Sequence, residues 1–234
     1  MAARSRLSRE RVLEAALHVV DHEGLPALNM RRVADELGVE TMAIYRYTPS
    51  KDDLLDGLVE SLFIEVEQAL EGAPSVGPSS SPDVRPGATA LPWREALLCI
   101  ARAMYKVALA HPHVIPLVAT RPFIVPLTRR PPALLRAHER LLDLLGAAGL
   151  DEETTLKVYR AFISWVLGYI VIELREVVDN PDESDPAFRF GLHRLPVKDF
   201  PRLRSLGPAL TVRGGEEQLT LGLDALLSRY MPTP

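Results

Sequence analysis

The sequence predicts an all-α protein, and three observations predict it. Apolar residues recur at i, i+3, i+4 and i+7 in stretch after stretch, the spacing of a helix buried on one face. No stretch alternates apolar and polar residues as a half-buried strand would. Residues that start and stop helices stand at the ends of the apolar stretches. The chain has 234 residues, 47% of them hydrophobic, enough for one large or two small cores.

Ser8 can cap a first helix running to about Glu23, with Leu13, Ala16, Leu17 and Val20 as its apolar stripe and Gly24 at its end. Asn29 can cap a second, on which Val33, Ala34 and Leu37 share a face. Gly38 can take the left-handed conformation that ends it. A third runs from about Thr41 to Tyr47. Pro49 stops it and pushes Thr48 out of the α region. Ala43 and Ile44 would pack back on the second helix, leaving Thr41, Met42, Tyr45, Arg46 and Tyr47 at the N-terminal end and outer side. A short helix with polar and aromatic side chains outward, braced by another across a glycine turn, is the build of a helix-turn-helix, here at about residues 29–48. Ser50, with Asp53 three residues on, opens a long fourth helix with Leu54, Leu55, Leu58, Leu62 and Val66 on one face to about Leu70. Residues 1–70 thus form an N-terminal unit.

Residues 71–91 read as a flexible loop: 11 of the 19 residues from Gly72 to Ala90 are Gly, Pro or Ser. Residues 92–234 form a second, larger unit. A helix runs from Pro92 to about Ala110, and the proline-punctuated stretch 112–132 allows only short helical turns. Pro132 opens the next helix, which carries Leu134, Leu135, Leu141, Leu142 and Leu145 and ends near Gly146 or Gly149. Asp151-Glu-Glu opens a long helix to about Val178, the acids complementing its dipole. Residues 179–186 are a solvated loop, Pro201–Leu210 a short helix in irregular surroundings, and Glu216–Tyr230 a last helix.

The segments Met30-Arg-Arg-Val-Ala, Leu37-Gly-Val, Ala43-Ile-Tyr-Arg-Tyr and Lys51-Asp-Asp-Leu-Leu, in ungapped register, resemble the TetR (tetracycline-repressor) family of bacterial transcription regulators. Trp93-Arg-Glu-Ala-Leu, Thr120-Arg-Pro and Gly222-Leu-Asp-Ala-Leu-Leu resemble the tetracycline-repressor type of C-terminal domain. The resemblance implies a helix-turn-helix DNA-binding domain followed by a larger helical domain that binds an effector and dimerises through its last two long helices. It also marks 71–91 as an insertion. At the family's position for a base contact from the second helix stands Arg31, whose guanidinium fork matches guanine O6 and N7. Thr41 and Met42 begin the recognition helix, and Tyr45, Arg46, Tyr47 and Lys51 look like phosphate contacts with some base contribution. Tyr45 suits core packing with its hydroxyl outward equally well. Where tetracycline repressors carry a histidine that ligates the drug-bound magnesium, this chain has Leu117. The departure favours a metal-free organic ligand; no metal or cofactor is expected.

Charge and composition agree with that reading without requiring it. Residues 1–51 carry 8 Lys/Arg and 7 Asp/Glu, against 19 and 24 in residues 52–234, so only the first unit can approach DNA without repulsion. Tyr105, Tyr159, Phe162, Trp165 and Tyr169 are candidates for an apolar pocket with polar tips, or plain core. There is no Gly-rich phosphate loop, no Cys/His metal spacing and no serine nucleophile elbow, which points away from an enzyme. The lone Cys99 excludes an intrachain disulfide and suits a reducing cytoplasm. The start has no signal-peptide core, and the longest apolar segment, Phe162–Ile172, is too short to span a bilayer. The expectation is a cytoplasmic, homodimeric repressor that binds a double-stranded DNA operator and is released by a small hydrophobic or aromatic effector, with no membrane partner. The alternative is a ligand-independent architectural DNA-binding protein, for which some 140 residues of extra helix would be superfluous.

Overall fold

A computed structural model describes residues 7–71, 92–179, 195–210 and 212–230, and among these there is no strand. The expected loop at 71–91 and the solvated loop at 179–186 lie, all but their first residues, outside the described residues.

The N-terminal unit is built from α1 (Arg9–Glu23), α2 (Met30–Leu37), α3 (Thr41–Ile44) and α4 (Lys51–Glu71). The caps are the ones the residue types allow. Ser8 Oγ accepts from the Arg11 N–H, Asn29 Oδ1 from the Arg32 N–H at 2.9 Å, and Ser50 Oγ from the Asp53 N–H at 3.1 Å. Gly38 sits at φ 63°, ψ 39°, the left-handed turn between α2 and α3. The third helix is shorter than its sequence suggests. Beyond Ile44 the chain closes in a turn, with the N–H groups of Tyr47 and Thr48 both donating to the Ile44 carbonyl. Pro49 has no N–H with which to carry the helical ladder further. Val12, Ala16, Val33, Ile44, Leu54 and Leu58 interlock as the core of this unit.

The second unit comprises α5 (Pro92–Ala110), α6 (Ile115–Ile124), α7 (Pro132–Ala147), α8 (Glu152–Asp179), α9 (Pro201–Leu210) and α10 (Gly215–Ser228). The ten-residue α6 corrects the expectation of isolated turns between the prolines. Pro116 falls in the first turn, where a missing N–H costs nothing, and Pro122 falls near the end, where it removes one bond. Asp151 Oδ1 caps α8 by accepting from the Thr154 N–H at 2.9 Å. Leu97, Leu145, Phe162, Val166, Leu219, Leu223 and Leu227 are fully buried between α5, α7, α8 and α10. By length and composition α8 is apolar enough over Glu152–Leu174 to cross a bilayer, a longer stretch than Phe162–Ile172. It packs against α5, α6, α7 and α10 along one strip, with 22% of Glu152–Leu174 buried.

The two units share one continuous core because α4 belongs to both. Its N-terminal half, with Leu54 and Leu58, fills the first unit, and its C-terminal half, with Phe63 and Val66, packs on α5 and α7.

Candidate functional site

Two surfaces carry chemistry, one at each end of α4. The first is the outer side of α2 and α3. Its adjacent arginines have different fates. Arg32 is held by Glu23 (Nε–Oε1 2.9 Å) and by Glu36 (2.8 Å), tying α2 to α1; this holds the Glu23 carboxyl below its usual range. Arg31, one residue earlier, is exposed and forms no ion pair among the described residues. Arg46 and Lys51 are likewise exposed and without an ion pair. Met42 is 71% exposed at the start of α3, an apolar group held in water. Tyr45 is exposed, whereas Thr41 and Tyr47 are half-buried, Tyr47 packing on the core while its carbonyl accepts from Arg9 Nη1 at 3.0 Å. The helix pair and the start of α4 therefore carry three exposed cations without an ion pair among the described residues, a methionine and a tyrosine, on a frame fixed by Arg32 and by the Arg9–Asp53 pair at 2.6 Å.

The second is a cavity of about 500 Å³. Phe63, Val66 and Leu70 of α4 form one wall, Ile100 and Met104 of α5 another, and Val118 and Pro122 of α6 a third. α7 contributes Ala137, His138 and Leu141, and α8 contributes Tyr159, Phe162 and Gly168. Of the five aromatic candidates, Tyr159 and Phe162 thus line the cavity. Tyr105, Trp165 and Tyr169 are turned away from it towards α10. Trp165 Nε1–H donates to the Leu219 carbonyl at 3.2 Å, the Tyr169 hydroxyl donates to the Gly215 carbonyl at 2.6 Å, and Tyr105 stacks at a tilt on Tyr169, ring centres 6.1 Å apart. α8 is apolar on two faces, one towards α10 and one towards the cavity, and periodicity alone does not separate them. Leu117 is buried.

His138 was not among the candidates, yet a signal for it stands in the sequence: it shares the α7 face of Leu134, Leu141 and Leu145 at helical spacing. Its Nδ1 lies 2.8 Å from the Tyr159 hydroxyl. Its Nε2 is buried and has no protein partner. Burial, and then the nearby Arg130 charge, push the imidazole below its ordinary pKa, so the ring is neutral at pH 7. Burial raises the Tyr159 phenol, which stays protonated. Arg130, Arg140 and Arg160 also line the cavity.

Between the two surfaces run polar ties. Arg121 of α6 bonds Asp56 through Nε and Asp52 through Nη2, at 2.5 and 3.1 Å, gripping the first turns of α4. His111 Nδ1 is 2.7 Å from Asp21 of α1 and Nε2 is 3.1 Å from Glu65 of α4. Its hydrogen bond to Asp21 leads in raising its pKa above the ordinary imidazole value, against partial burial. The Nδ1 of His113 meets the Asp21 carbonyl at 2.9 Å. The segment 111–113 thus holds α1 and α4, and α6, a wall of the cavity, holds α4.

Comparison with known proteins gives concordant matches. Residues 12–58 match the family model described as bacterial regulatory proteins, tetR family, and residues 86–228 match that of the tetracyclin repressor-like C-terminal domain. The chain is 28% identical over 204 residues to an HTH-type transcriptional regulator of Saccharopolyspora erythraea, covering 87% of this chain and 76% of that one. It is 33% identical over 165 residues to an HTH-type transcriptional repressor of Streptomyces coeruleorubidus, covering 70% of this chain and 52%, about half, of that one. The fold superposes on the Streptomyces coelicolor TetR family protein ActR in complex with actinorhodin with a TM-score of 0.67 at 27% identity, covering 97% of each chain.

Proposed function

The chain belongs to the TetR family of bacterial transcription regulators, and from that premise we propose that it is a cytoplasmic repressor that binds a palindromic operator as a homodimer and is released by a small organic effector. The observation that carries this reading is the double membership of α4. One end of the helix is core to the helix-turn-helix unit, and the other is a wall of the 500 Å³ cavity. A molecule that fills the cavity presses on Phe63 and Val66, and on α6 through Val118 and Pro122. Through Arg121 the α6 movement reaches Asp52 and Asp56 at the opposite end of α4. An effector that binds better when α4 has swung shifts the population towards that state, and operator affinity falls by its differential affinity for the two states.

Arg31, Thr41, Met42, Tyr45, Arg46, Tyr47 and Lys51 are the proposed DNA contacts. Arg31 and Met42 are assigned to base edges, and the rest chiefly to phosphates and sugars. Two recognition helices of a dimer would enter successive major grooves about 34 Å apart. The proposed dimer face joins α8 and α10. Ala161 and Ile172 of α8 and Leu221 and Ala225 of α10 lie outside the cavity lining, and the two alanines are small enough for close helix approach. Ile172 is 78% exposed and Leu221 58% exposed in the single chain, so a second copy covers apolar surface that water otherwise meets. Leu226 is half-buried, packed against the chain's own core.

Selection from a random duplex library tests the proposal. The expected product is a two-fold symmetric consensus bound by a dimer. Binding without sequence preference, indifferent to small molecules, would replace this reading with an architectural one.

A further inference from the structure

The cavity's charge is unlike its walls. Most of the lining is apolar, but Arg130, Arg140 and Arg160 stand along it, and none has a carboxylate partner among the described residues. Arg130 uses its Nε on the Val125 carbonyl at 3.1 Å, leaving its remaining donors uncommitted by that bond. The one acid in the lining, Glu67, is engaged at 3.0 and 2.9 Å by Arg136. The site therefore has a positive excess within a chain whose net charge is −4. Arg140 and Arg160 are exposed, so they stand where the cavity meets solvent, whereas His138 and Phe162 lie deeper. An uncompensated guanidinium beside an apolar surface is poised for a carboxylate, sulfonate or enolate, which it binds by charge-assisted, often bidentate hydrogen bonds.

The inner end is closed. His138 Nδ1 is engaged with Tyr159, and His138 Nε2 is shut off from solvent and from the cavity alike, so the ring serves as wall.

We infer that the effector is an amphiphilic anion: an apolar body in the cavity and an anionic group at Arg140 and Arg160, where the cavity meets solvent. This rests on the reading of the cavity as the effector site, and deepens it from any hydrophobic molecule to a charge class with a fixed orientation. Neutral molecules of the same shape fill the walls but leave the guanidiniums unpaired, and cations are repelled.

A matched pair of fluorescent probes tests it: anilinonaphthalene sulfonate, an aromatic anion, and N-phenylnaphthylamine, the same ring system without the sulfonate. Both are titrated into the wild-type protein, into Arg140→Gln/Arg160→Gln, and into Ala137→Phe, which puts a ring into the cavity from α7. Both arginines are exposed and form no ion pair among the described residues, so their loss leaves the fold intact, which circular dichroism checks. The expected result is a sulfonate Kd raised about tenfold in the arginine variant, about the worth of one charge-assisted hydrogen bond, with the amine Kd unchanged within about twofold. Ala137→Phe should weaken both probes. If the arginine variant weakens both probes alike, or neither, while Ala137→Phe weakens both, the charge class is wrong and the cavity reading stands. If Ala137→Phe leaves both unchanged, or the sulfonate shows no saturable binding to the wild type, the cavity is not the binding site and both readings fall.

Discussion

Gly222 of α10 packs under Trp165 of α8, and replacing it with alanine yields a calculable loss. A Cβ there would lie 2.0 Å from Cζ2 and 2.6 Å from Cη2 of the indole, far inside van der Waals contact. The ring is not free to retreat, because its Nε1–H is committed to the Leu219 carbonyl at 3.2 Å and it stacks on Tyr169 with ring centres 5.9 Å apart. Overpacking of this kind costs about 1–3 kcal/mol. Tearing the indole from its acceptor adds about 0.5–1.5 kcal/mol. Alanine returns about 1 kcal/mol of helix propensity over glycine. The net is a destabilisation of about 2 kcal/mol, or a fall in Tm of about 4–8 °C for a chain of this length. Thermal unfolding followed by far-ultraviolet circular dichroism measures it. Gly146→Ala is the control: this glycine is exposed in α7 and its Cβ would meet nothing within 4 Å, so the same change there should be neutral or stabilising by up to about 1 kcal/mol. In a Trp165→Phe background Gly222→Ala should cost less, since the clashing carbons are gone. A Gly222→Ala protein that melts at or above the wild type would refute the close packing of α8 on α10.

Three further outcomes are expected. Arg31→Ala should cost about 1–3 kcal/mol on the selected operator and relax preference at one base pair, whereas Lys51→Ala should weaken all duplexes alike and reduce the salt slope by about 1; anisotropy titrations on specific and random DNA separate the two, and identical profiles would overturn the assignment. Ile172→Glu and Leu221→Glu should each raise the dimer dissociation constant at least about tenfold, because a carboxylate buried without a partner costs more than 1.4 kcal/mol; sedimentation reads the mass, variants that stay dimeric would move the interface elsewhere, and a wild type at monomer mass at micromolar concentration would refute the dimer. His111→Asn should lower Tm at acidic pH and less at alkaline pH: the folded-state pKa is raised above 6.5, so the protonated clamp to Asp21 and Glu65 stabilises fully below about pH 6.5 and is lost as pH rises through the raised value. A Tm difference flat from about pH 5 to 9 would contradict that sign.

The fold was legible because its signals are local. Ser8, Asn29, Ser50 and Gly38 each act within one turn of chain; the first three mark the observed helix starts and Gly38 the observed end of α2. The length of α3 was less so: Pro49 sets an outer limit, and the tightening of the last turn onto the Ile44 carbonyl leaves no mark in the periodicity. Helix α6 was missed because proline is a poor breaker at a first or last turn, and which turn it occupies is a tertiary matter. The cavity was only half legible. Aromatic content pointed to α8 but not to the face of α8, so Tyr159 and Phe162 were grouped with Tyr105, Trp165 and Tyr169, which brace α10. Arg130, Arg140 and Arg160 look like ordinary surface charges in the sequence; only the tertiary packing brings them to one cavity.

The measurement that tests the central claim most directly is operator affinity with and without a cavity ligand, in the wild type and in Ala137→Phe. A duplex selected by the protein itself is labelled, and anisotropy gives Kd at saturating ligand. The account predicts a rise in Kd of at least about fivefold in the wild type, the low end of allosteric coupling, and no rise in Ala137→Phe, whose ligand-free Kd matches the wild type. A ligand that saturates the cavity while operator affinity stays unchanged would contradict it, for α4 would then carry nothing from one end to the other.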